Sequence, residues 1–121
     1  MPRNMSFALT TQQFKDRTKT VTRRKGWKFL KKGDILNGCV KCMGLKRGEK
    51  IEKLGQIKVL DVRREPLGRM MTDWAYGREE LKKEGFPDYK PGDFFKLFGS
   101  QGVGLQDDIT RIEFEYLDDW Q

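Results

Sequence analysis

Apolar and polar residues alternate over several short stretches of this chain, and the alternation predicts strands separated by short helices. Ser6 to Leu9 is predicted as a strand with Phe7 and Leu9 on one face. Thr10 then matches a helix N-cap, with Gln13 three residues on to complete a capping box, and a short helix is predicted over 11–17. The β-branched residues Thr20, Val21 and Thr22 favour extended chain straight after it. Lys32-Gly33-Asp34 predicts a turn before a strand at about 34–43, with Leu36, Val40 and Cys42 sharing a face. Gly44 to Gly55 is polar and is predicted as a hairpin or loop. Ile57 to Val62 is apolar on both faces, as a strand inside a sheet or barrel requires.

The later part of the chain alternates between helix and strand signals. Thr72 to Glu84 predicts one or two short helices, with Glu79 and Lys83 placed to pair at i,i+4 and Gly85 and Pro87 stopping the run. Pro91 to Phe98 predicts a helix with proline in its first turn and Phe94, Leu97 and Phe98 on one face. A glycine-rich loop covers Ser100 to Asp108; it lacks the Gly-x-x-x-x-Gly-Lys-Ser/Thr of a phosphate loop and suits a lid. Ile112, Phe114 and Tyr116 alternate with Arg111, Glu113 and Glu115 as a half-buried strand. The elements together predict an α+β chain, mainly β: a single domain over 1–121 with a small mixed sheet that curls on itself.

Composition narrows the chemistry. A chain of 121 residues supports one core without disulfides or metal, and its 14 aromatic residues supply large pieces to bury. No apolar run approaches the ~20 residues of a membrane span, and Met1-Pro2-Arg3-Asn4 opens no signal peptide, so the expected location is cytoplasmic. The net charge is +7, but it is unevenly spread. Residues 1–70 carry 19 Lys/Arg against 6 Asp/Glu, and residues 71–121 carry 6 against 12. The basic part points to a phosphate-bearing partner. There is no histidine, which removes Ser-His-Asp and Cys-His hydrolysis, histidine-based RNA cleavage and most catalytic zinc sites.

Charge is densest between Lys15 and Lys32, where nine Lys/Arg stand against Asp16 alone. Inside it, Lys19-Thr20-Val21-Thr22-Arg23-Arg24 brings a lysine, two hydroxyls and two arginines together. If the backbone turns between them, Lys19 can serve as a general base on the Thr22 hydroxyl. That requires a lysine pKa well below ~10.4, and the cations Arg23 and Arg24 push it that way. The alternative is a phosphate-gripping lysine beside a structural threonine. Glu84 closes a predicted helix, where the macrodipole disfavours a carboxylate by about 0.3–1 kcal/mol. It is either a tolerated surface acid or a functional one. Aromatic residues interleaved with the cations suit base stacking, and Trp27 between Lys25 and Lys28 is the leading platform. Cys39 and Cys42 form a Cys-x-x-Cys, but a structural zinc needs four ligands and no other Cys or His exists; they read as structural, and no metal or cofactor is expected.

These residues resemble the signature of ASCH domains, Gly-x-Lys-x-x-Thr-x-Arg. Lys19, Thr22 and Arg24 fill three of its four marked places, and Arg17 stands at the glycine. Leu30-x-x-Gly33-Asp34 is similar to the family's Lys-x-Gly-Asp turn, and Glu84-Gly85-Phe86 to its Glu-Gly-Phe. The order of these segments covers nearly the whole chain, and the likeness is greatest to small ASCH proteins of bacteriophages and prophages. The resemblance implies a PUA-like fold, a small mixed β-barrel with flanking helices and a cleft for RNA or a modified nucleobase. One branch of that superfamily removes the acetyl group from N4-acetylcytidine with a Lys, a Thr and a Glu, which fall here on Lys19, Thr22 and Glu84. The implied partner is RNA or a modified nucleoside, held by Arg17, Arg23, Arg24, Lys25, Trp27 and Lys28. A non-catalytic reader of RNA or modified bases and a metal-independent ribonuclease remain the alternatives.

Overall fold

A computed structural model of the chain describes residues 3–41, 48, 50–99 and 102–117. Five strands form one mixed sheet: β1 (Arg3–Ser6), β2 (Val21–Arg24), β3 (Ile35–Cys39), β4 (Lys53–Pro66) and β5 (Asp108–Tyr116). They lie in the order β1-β3-β4-β5-β2, with β1 parallel to β3 and the other neighbours antiparallel. The sheet curls into a half-barrel whose edges are β1 and β2. Four short helices flank it: α1 (Thr11–Lys15), α2 (Arg69–Thr72), α3 (Trp74–Glu84) and α4 (Pro91–Gly99). The expected class, α+β and mainly β, is the observed one.

Curling follows from β4, which at 14 residues is long enough to pair with β3 at one end and β5 along most of its length. Its pairings slip in register at Gly38/Cys39 and at Val59/Asp61, and such bulges bend and twist a strand. Met5, Phe7, Phe14, Ile57, Ile112 and Phe114 fill the inside of the curve. Phe14 reaches it from α1 because Gly38 has no side chain: a Cβ there would stand 2.3 Å from the Phe14 ring. A second cluster, built on Met70, Leu81, Phe94, Phe98 and Ile109, binds the helices to the other end of β5.

Several boundaries differ from the sequence reading. The first strand is Arg3–Ser6 rather than 6–9, because its register is set by parallel pairing with β3. The chain then turns through a 3-10 segment at Ala8–Thr10, so Phe7 is buried and Leu9 is 74% exposed. Thr10 occupies the N-cap of α1 without a side-chain cap bond; the Thr11 hydroxyl donates to the Phe7 carbonyl instead. Residues 53–55 belong to β4 and not to a loop. Glu79 pairs with Lys82, and Lys83 with Glu80, both at i,i+3, in place of the expected i,i+4 pair. Cys39 is buried at the end of β3, where its thiol donates to the Asn37 carbonyl. Cys42, residues 44–47 and 49 of the Gly44–Gly55 segment, and Ser100-Gln101 of the expected lid lie outside the described residues.

Candidate functional site

The C-terminus of α3 is the anchor around which the site is built. Gly85 adopts φ +93, the left-handed conformation that favours glycine, and closes a Schellman motif: Phe86 N–H donates to the Leu81 carbonyl and Gly85 N–H to that of Lys82. The carbonyls at this end would otherwise lack partners. The chain leaving α1 supplies them. Gln13 Nε2 donates to the Gly85 carbonyl, Thr20 N–H to Lys83, and Lys19 Nζ to Glu84 at 2.8 Å. Capping a helix terminus therefore draws the Lys19–Arg24 segment onto Glu84, 65 residues away in sequence.

Lys19 and Glu84 form a buried ion pair, Nζ to Oε1 at 2.8 Å, with each side chain about 97% removed from water. The other carboxylate oxygen of Glu84 accepts from Arg23 Nη1 at 3.0 Å. Arg23 lies wholly buried and continues the network to Glu80 at 2.6 Å, Glu65 at 3.4 Å and the Tyr76 hydroxyl at 3.2 Å. Arg111 from β5 grips Glu80 through Nε and Nη2. Tyr76 donates to Glu65, which also accepts from Arg63. The carboxylate at the negative end of α3 is thus stabilised by two cations, which answers the dipole penalty that made Glu84 conspicuous in the sequence.

Burial pushes the Lys19 ammonium below its ordinary value; Glu84 pulls the other way, and the Arg24 and Arg23 charges add to the lowering. Three buried carboxylates, Glu65, Glu80 and Glu84, face three buried cations, Lys19, Arg23 and Arg111, with Arg63, Asp61 and Glu113 at the exposed edge of the network. Arginine does not give up its proton in proteins, so Lys19 is the cation of this group that desolvation can neutralise. Burial likewise raises Glu80, but the hydrogen bond from Arg111 and the charge of Arg23 outweigh it and hold that carboxyl at about 2.

This network forms one wall of a cavity of about 390 Å³, within the range of sites that take small ligands. Lys19, Thr22, Arg23, Arg24 and Glu84 all line it, and so do Lys25 and Trp27. Apolar residues complete the lining: Phe7 beyond β1, Phe86 after α3, and Phe94 and Phe98 on α4. Thr22 Oγ1 accepts from Arg24 Nε at 3.0 Å, and the Arg24 guanidinium lies 4.9 Å from the Phe7 ring centre. Trp27 reaches the rim by an unusual backbone step, with Gly26 at φ +84 and Trp27 itself at φ +55. A tryptophan held at positive φ stores strain, and such strain gathers at binding sites.

The remaining candidates fall elsewhere. Arg17 sits over the Tyr116 ring at 5.4 Å, in a separate depression beside Phe14 and Gln56. Lys28 is exposed and does not line the cavity. Arg23, expected to hold phosphate, is instead turned inward onto carboxylates, because α3 and β4 present three of them to its position on β2. The supporting residues Glu65, Tyr76, Glu80 and Arg111 were missed by sequence reasoning. The one available signal was Arg111, a charged residue at an alternating strand position. Among the described residues no cluster of three His, Cys, Asp or Glu side chains is placed to hold a metal, and no helix is long and apolar enough to cross a membrane.

No protein-family model matches the chain, and no curated protein matches it. Its fold is similar to that in the crystal structure of hypothetical protein PH0355, with a TM-score of 0.65 over 97% of this chain and 100% of that one, at 17% sequence identity. A likeness at that identity carries the fold and no activity.

Proposed function

We propose that this chain is an ASCH protein of the PUA-like superfamily that acts on RNA or nucleosides, and that its cavity hydrolyses the exocyclic amide of an N4-acylated cytidine. The observation that carries the reading is a buried Lys19 with a lowered pKa, held by Glu84 in the same cavity as the Thr22 hydroxyl. With Arg23 already compensating Glu84, Lys19 can lose its proton without leaving a bare buried carboxylate. The neutral amine then takes the Thr22 proton as the hydroxyl oxygen attacks the acyl carbonyl carbon. Collapse of the tetrahedral species breaks the C–N4 bond, and the proton held by the Lys19–Glu84 pair passes to the leaving amine. Water hydrolyses the threonyl ester and releases the carboxylic acid. Arg24, whose Nε donates to Thr22 Oγ1 at 3.0 Å, fixes the position of the attacking hydroxyl. The apolar wall of phenylalanines and Trp27 supplies stacking surface for the base.

The test is incubation with N4-acetylcytidine, followed by separation of cytidine and acetate. Conversion supports the reading, and its absence at high enzyme concentration sinks it. A second reading, a reader without turnover, is favoured by one feature: the Lys19 ammonium donates twice to Glu84, while the Thr22 hydroxyl is engaged by Arg24. On that reading Lys19→Ala weakens nucleoside binding and there is no reaction to lose.

A further inference from the structure

The cavity does not end the exposed aromatic surface. Trp27 at its rim lies 5.4 Å, ring centre to ring centre, from Phe29, which is 50% exposed. The Arg3 guanidinium stands 4.3 Å from the Phe29 ring centre. Phe29, Arg3 and the half-buried to exposed Asp34 and Ile35 line a second groove of about 420 Å³. The Trp27–Phe29 contact links the two: Trp27 lines the cavity and Phe29 the second groove. The connection between β2 and β3, which carries Trp27 and Phe29, also exposes Lys25, Lys28, Lys31 and Lys32.

An exposed phenylalanine costs solvation that a folded core does not demand, and here it is bracketed by an indole and a guanidinium. Aromatic rings and arginine planes are the surfaces on which unstacked bases lie, and lysines around them meet the phosphates between. We propose that the Phe29 groove is a second nucleotide subsite, which seats the neighbour of the nucleotide in the main cavity, so that the ligand is single-stranded RNA rather than a free nucleoside. This rests on the nucleoside-binding reading of the cavity and adds the strand that carries the nucleoside. Arg3, lying over the Phe29 ring, offers its outer guanidinium plane for stacking and its N–H groups for a phosphate, with the exposed part of Phe29 beneath and beside it. Duplex RNA fits poorly, because its bases are already stacked on each other.

Equilibrium binding tests it, with free N4-acetylcytidine, a single-stranded tetranucleotide carrying the same nucleoside, and that tetranucleotide annealed to its complement. The single strand is expected to bind at least about 10-fold more tightly than the nucleoside and than the duplex. Phe29→Ala is expected to weaken the single strand by about 5-fold or more, the range of one lost base stack, and to leave nucleoside affinity within about 2-fold. Arg3→Ala is expected to lower the salt slope for the strand by about 0.7. Phe29→Leu keeps apolar bulk without the ring face and is expected to show the same loss for the strand, while parent-like nucleoside affinity in both variants excludes a folding defect. The subsite is overturned if strand and nucleoside bind alike, or if the Phe29 variants bind both as the parent does. These results separate from those on the reaction: turnover of the nucleoside with silent Phe29 variants removes only the subsite, whereas Phe29-dependent strand binding without turnover removes only the hydrolase.

Discussion

Replacing Glu80 with glutamine removes one negative charge from the centre of the buried network while keeping its volume. Glu80 is 1% exposed and its carboxylate bonds Arg23 and Arg111 together. The gap between its ordinary value of 4.5 and about 2 in the fold corresponds to about 3 kcal/mol of stabilisation. Removing one partner of a buried pair gives an independent figure of roughly 3–5 kcal/mol. The two agree, and about 3 kcal/mol is expected to be lost at pH 7, a large share of the 5–15 kcal/mol typical of a domain. The sign with pH follows from the depression. The carboxylate's contribution is complete above 4.5 and disappears as pH falls through about 2, because the folded protein must then take up the proton it excluded. Urea unfolding of both proteins between pH 7 and pH 2.5 reads this directly. The parent and Glu80→Gln curves should be about 3 kcal/mol apart at neutral pH and converge on acidification. A gap below about 1 kcal/mol at pH 7, or one of constant size down to pH 2.5, would refute the view that this carboxylate holds the two arginines.

Three further outcomes are expected. Gly77→Ala, inside α3, should lower the thermal midpoint by an overpacking cost of about 1–3 kcal/mol, because the new Cβ would stand 2.1 Å from the Met70 carbonyl oxygen; a raised midpoint, as for an ordinary helix glycine, would show that α2 and α3 do not pack so closely. Amide hydrolysis should rise with pH and level off once Lys19 is neutral, at a pH below the ordinary 10.5 since its value in the fold is lowered. A rate that falls through the neutral range would remove Lys19 as the base, and Lys19→Arg should give no turnover at any pH. Gly38→Ala should destabilise the protein by about 1–3 kcal/mol, read by chemical unfolding, since Phe14 would have to leave its place over the sheet; Gly38→Ala with Phe14→Leu should recover part of that loss.

Local pattern carried much of the fold. The alternation at Ile112, Phe114 and Tyr116 and the Gly85–Pro87 stop after α3 were legible because each depends on neighbours in sequence. The first strand was misplaced because its register depends on Leu36 and Cys39, and a parallel edge pairing leaves little local trace. Lys19, Thr22 and Glu84 were legible as a set by resemblance and by a basic cluster. Their meeting in one cavity was not, since it arises from capping the end of α3 with the chain after α1. Arg23 shows the limit most clearly. Nothing near it in sequence announces Glu65 and Glu80, so a buried ionic hub looked like a surface grip on phosphate.

In the proposed reaction the Thr22 hydroxyl attacks an acyl group under the control of Lys19. Turnover of N4-acetylcytidine by the parent and by Thr22→Val, with matched folding shown by circular dichroism, tests it most directly. Cytidine and acetate are expected from the parent and none above background from the variant. Equal rates from the two proteins would contradict it.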